Sequence, residues 1–98
     1  MAEERVACRT PAKGRDGVTN IPVWKFEVVE AAIRKALQHG PLRFSELREA
    51  TRPHLSETAL EQLGSLGWHV TTVKLEMEVR GVIKRLPGHG AQVIRLAE

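Results

Sequence analysis

A chain of 98 residues, 42% hydrophobic and 28% charged, leaves room for one compact core and no more. Its formal net charge of +3 permits nucleic-acid binding without demanding it. The single cysteine, Cys8, excludes an internal disulfide, and no stretch approaches the ~20 apolar residues of a membrane span, so a cytoplasmic protein is expected.

The first twenty residues carry Arg5, Arg9, Lys13 and Arg15 among Gly, Pro and Thr, with Val6 and Val18 isolated. They hold no apolar h-region, so no secretory leader is expected. A segment this polar buries too little apolar surface to offset its ordering entropy. Residues 1–20 are therefore expected to be a flexible basic tail, or an arm lying on a phosphate backbone, ahead of a single domain over residues 21–98.

Val23 to His39, "VWKFEVVEAAIRKALQH", repeats apolar residues at spacings of three and four. Pro22 before it and Gly40 after it are start and stop signals. A helix is expected there. "PLRF" reads as a brief strand or extended link. A second, shorter helix is expected over 45–52, with Ser45 as its cap and Phe44, Leu47 and Ala50 on one face; Pro53 ends it. Ser56 opens another turn or two before Gly64 and Gly67.

The segment "TTVKLEMEVRG", Thr71–Gly81, poses the main question. Val73, Leu75, Met77 and Val79 alternate with charged residues, as in a half-buried strand. Its Lys, Leu, Glu and Met are nevertheless good helix formers, and Gly81 sits where a left-handed residue would end a helix. We expect a helix over 69–80. On a helical wheel at ~100° per residue, continued back to Leu66, Leu66, Val70, Val73 and Met77 form one stripe, and Trp68, Thr72, Leu75 and Val79 a second, almost opposite. The second stripe needs a cover: the Ile21–Trp24 segment, the 54–66 link, or another copy of the chain. After Gly81, "VIKRLPGHGAQVIRL" reads as a β-hairpin over 82–96.

"TTVKLEMEVRGVIKRLPGHGAQVIRL" resembles the end of a winged-helix domain, in which a helix passes through Gly into a two-stranded wing. More closely, "GWHVTTVKLEMEVRGVIKR" is similar to a family of small bacterial proteins of no assigned activity with the pattern GWxxxTVxLxLExxGxI. Gly67, Trp68, Thr72, Val73, Leu75, Glu78, Gly81 and Ile83 match it. The resemblance implies an α+β, mainly helical fold: a winged helix-turn-helix of three helices and a C-terminal two-stranded wing. One departure stands out. The position of Lys74 is apolar in many winged helices and that of Leu75 polar; here they are exchanged.

Catalysis is not expected, since HExxH, P-loop, GxSxG and CxxC motifs are all missing. No cofactor or metal is expected either: His39, His54, His69 and His89 fall in four separate elements. The leading expectation is double-stranded DNA binding. His69, Thr71, Thr72 and Lys74 would face the bases, and Arg43, Ser45, Lys84, Arg85 and His89 the phosphates. The competing expectation is a protein-interaction or dimerisation module using Trp68, Leu75 and Val79, with no DNA bound.

Overall fold

The computed structural model describes residues 4–10, 14–86 and 92–97, with the backbone alone at Thr10 and residues 14–18. The fold is α+β and mainly helical. In chain order it runs β1 (Arg5–Thr10), β2 (Gly14–Pro22), α1 (Val23–Leu37), β3 (Leu42–Arg43), α2 (Phe44–Thr51), a 3₁₀ turn (Arg52–His54), α3 (Glu57–Leu63), α4 (Leu66–Val79), β4 (Ile83–Arg85) and β5 (Val93–Leu96).

The first twenty residues depart from expectation. Most of them form β1 and β2, an antiparallel pair in which Val6 faces Ile21 and Cys8 faces Thr19. Exposure alternates along β1: Arg5, Ala7 and Arg9 point outward, while Val6 and Cys8 turn in. Cys8 is only 2% exposed and joins the core with Ile21. The segment offsets its ordering cost because it docks on α4 and need not bury a core of its own. Lys13 lies outside the described residues.

Helix α1 buries Phe26, Val29, Ala32, Ile33, Ala36 and Leu37 along one face. That face meets α4, where Leu66, Val70, Val73 and Met77 are buried together. The expected main stripe is thus the core stripe. Leu47 of α2, Leu63 of α3, Ile83 of β4 and Ile94 of β5 complete the core.

The segment Thr71–Val79 is helical. The Ser65 hydroxyl accepts the Trp68 N–H at 3.1 Å and caps α4. At the far end Gly81 takes φ +77°. Its N–H donates to the Glu78 carbonyl at 3.1 Å, and the Val82 N–H to the Met77 carbonyl at 2.9 Å. This is a Schellman ending, which needs a left-handed residue at Gly81. Ser56 caps α3 in the same manner, accepting the Ala59 N–H at 3.0 Å.

Helix α2 begins one residue earlier than expected, and Ser45 does not cap it. The Glu46 carboxylate instead accepts the Arg43 N–H at 3.0 Å. Strands β3, β5 and β4 form one antiparallel sheet in that order, with Leu42 opposite Ile94, and Ile83 opposite Leu96. The segment between β4 and β5 that holds His89 and the expected hairpin turn lies outside the described residues.

Candidate functional site

Helix α4 has a buried arc, two flanks and an outward face, and its sequence assigns residues to each. The outward positions are Trp68, Thr71, Thr72, Leu75 and Val79. Trp68 is 47% exposed and Thr71 exposed, while Thr72, Leu75 and Val79 are half-buried. No charged side chain stands on this strip.

One flank faces β5 and α2. Lys74 lies here, 2% exposed, and is not available to a DNA base as expected. Its ammonium donates to Gln92 Oε1 at 2.5 Å, pairs with the Glu78 carboxylate, and sits 4.8 Å above the Phe44 ring. Burial pushes its pKa below the usual lysine value, against the opposing pull of Glu78. Lys74 is accommodated in this way: the lysine stem packs and its head is paired. Arg85 Nε donates to Glu78 Oε1 at 2.9 Å from β4, so β4 and β5 are both tied to this flank.

The other flank faces β1. Glu76 is fully buried there and accepts four hydrogen bonds. The Arg9 main-chain N–H and Nε donate to Oε1 at 2.8 and 3.1 Å, and Arg9 Nη2 to Oε2 at 2.8 Å. Arg80 Nε donates to Oε2 at 2.7 Å. Burial alone would raise the carboxyl pKa, but the bonds from Arg9 and Arg80 outweigh it and hold the pKa down, at about 2. Burial also pushes the Cys8 thiol up to about 11, with Glu76 adding to the effect and Arg80 opposing it. Cys8 is thus a packing residue with no thiolate chemistry at neutral pH.

His69 is buried as well, contrary to its expected place among base contacts. Its Nδ1 donates to the Ser65 carbonyl at 2.7 Å, and its ring meets Trp68 edge-on at 4.8 Å. It belongs to the first turn of α4, whose backbone it helps to satisfy.

Two of the expected contact residues do converge. A groove of about 340 Å³ between α2 and the N-terminal half of α4 is lined by Phe44, Ser45, Arg48, Gly67, Val70 and Thr71. Ser45 and Thr71 bring hydroxyls, and Arg48 a guanidinium. A β-carbon at Gly67 would stand 3.4 Å from Arg48 Cδ, so a side chain longer than alanine would push the arginine aside. Arg48 was missed in the sequence, although it stands one turn after Ser45 on the same face of α2. Arg43 on β3 and Lys84 and Arg85 on β4 are exposed but do not line this groove.

Among the described residues no group of three or more His, Cys, Asp or Glu is placed to hold a metal ion. No described helix is long and apolar enough to cross a membrane.

A family model, described as a family of unknown function (DUF6958), matches residues 5–93. The chain belongs to DUF6958. The match begins at the first residue of β1, so the N-terminal strand pair lies within the DUF6958 unit. No curated protein and no solved structure matches the chain.

Proposed function

We propose that the chain is a small winged-helix protein of the cytoplasm that binds double-stranded DNA and carries out no reaction. The order α1, β3, α2, α3, α4, β4, β5, with β5 between β3 and β4, supports the winged-helix reading. The observation that carries the DNA reading is the groove, where Ser45, Arg48 and Thr71 meet beside the outward strip of α4. Hydroxyls and guanidinium groups are donors suited to phosphate oxygens. Lys84 and Arg85 add exposed cations on the wing; Arg85 Nε is engaged by Glu78 and Arg48 Nε by Glu49, which leaves their outer N–H groups to reach a phosphate.

With His69 and Lys74 buried, only Thr71 and Thr72 remain of the four base-facing candidates. Neither supplies the bidentate pairing that discriminates bases strongly. Binding is therefore expected to be driven by phosphates and to prefer no particular sequence. Fluorescence anisotropy with a random duplex across a salt series tests this. Affinity should fall with a log–log slope near −0.9 for each phosphate neutralised. Absence of binding at about 50 mM salt sinks the reading.

A second reading has its own observation. Trp68 is the exposed large hydrophobic residue of the described chain, and half-buried Leu75 and Val79 share its face. Such a strip fits a dimer or partner surface. On that reading the wild-type chain sediments as a dimer and Leu75→Glu as a monomer with an unchanged melting temperature. A monomeric wild type removes the dimer.

A further inference from the structure

We infer that Arg9 of β1 and Arg80, at the C-terminal end of α4, together make a second phosphate contact. This rests on the DNA reading above and extends it to a part of the chain outside the groove and wing.

Among the described residues the cluster is two guanidinium groups converging on one buried carboxylate, two positive charges on one negative. Glu76 is 1% exposed, whereas the Arg9 and Arg80 side chains are 46% and 41% exposed. A guanidinium has five N–H donors in a rigid fork. Glu76 engages Nε and Nη2 of Arg9 and only Nε of Arg80. Among the described residues, the outer N–H groups of both forks have no other acceptor and are available to an anion. The forks are also held in place. Arg9 is fixed by its main-chain N–H as well as its side chain, and Arg80 Cζ lies 4.7 Å above the Phe26 ring. Arginines already ordered by the fold lose less freedom when a phosphate binds.

The position suits a duplex. Gly67, in the groove at one end of α4, and Arg80, at the other, stand roughly 20 Å apart at 1.5 Å per residue. The major groove of B-DNA is about 12 Å wide. The two sites also lie on opposite flanks of α4, so a duplex seated on its outward face meets one site with each phosphate backbone. Arg48 and Ser45 then serve one backbone, and Arg9 and Arg80 the other.

The test uses the full chain, the random duplex and the salt series. Arg9→Gln and Arg80→Gln each remove one charge while keeping an N–H donor for Glu76. Arg80→Gln also leaves all three Arg9 bonds in place, so it serves if Arg9→Gln melts uncooperatively. Arg34→Gln, on the solvent face of α1 away from α4, makes the same charge change as a control. Each variant at the cluster should make the log–log slope shallower by about 0.9, and Arg34→Gln should leave it at the wild-type value. Wild-type slopes in both cluster variants would overturn the inference while leaving the DNA reading intact. An equal change in Arg34→Gln would also overturn it, because the effect would then be one of net charge. A wild-type chain that binds no duplex fails the DNA reading, and the second contact with it.

Discussion

Two buried ionic side chains on α4, Glu76 and Lys74, sit on opposite flanks, and the physics favours them in opposite senses. Burial costs Glu76, but four donated hydrogen bonds more than offset that cost, and its pKa falls to about 2. Burial costs Lys74 more than Glu78 returns, and its pKa falls below the usual lysine value. The two replacements should therefore differ. Glu76→Gln should destabilise the fold by about 2–4 kcal/mol, since it removes the charge on which both arginines converge. Lys74→Met, which keeps the apolar stem and leaves Arg85 to Glu78, should cost less than about 1 kcal/mol or stabilise. The pH dependence follows from the direction of the Glu76 shift. A carboxyl depressed in the folded state contributes stability fully above its unfolded value, 4.5, and loses it as pH falls towards about 2. Urea melts at pH 6 and pH 3 should show the wild type losing more stability than Glu76→Gln over that interval. Equal losses would show that the carboxylate is not the group involved.

At the scale of elements, what was legible in the sequence was whatever depended on local signals. The Gly81 ending of α4, the Ser56 cap and the apolar face of α1 are each written within one helix length, and the structure has all three. The period-2 pattern of Val73, Leu75, Met77 and Val79 was the misleading signal. It arises because α4 buries Val73 and Met77 in the core and half-buries Leu75 and Val79 on its outer face. What was not legible depended on contacts between elements. His69 and Lys74 read as polar surface because neither their partners nor their depth is encoded near by. Gln92, Lys74's partner, lies eighteen residues further on, across a turn. Burial of a polar residue is decided by tertiary partners, not by its own type. Arg48 was missed for the converse reason: its place in the groove depends on Gly67 of another helix lacking a side chain.

The same distinction governs the whole molecule, where β1 was the largest omission. Its apolar content is only Val6 and Cys8 on the inward side, too little to mark a strand when read locally. Yet β1 covers one flank of α4, adds Cys8 to the core and delivers three of the four hydrogen bonds to Glu76. A boundary at residue 20 would therefore cut through a cooperative unit. Deleting residues 1–20 should expose the Glu76 carboxylate and Ile21, and leave Arg80 as the sole partner of that carboxylate. Losing a buried side chain and most of an ionic cluster costs several kcal/mol, on the order of a third of the roughly 5–15 kcal/mol that stabilises a domain of this size. At about 4–8 °C per kcal/mol, the melting midpoint should fall by more than roughly 10 °C. Thermal melts followed by far-ultraviolet circular dichroism measure this directly. A truncated chain that melts at the wild-type temperature would show that the strand pair adds nothing to the fold, and that the domain begins at residue 21 after all.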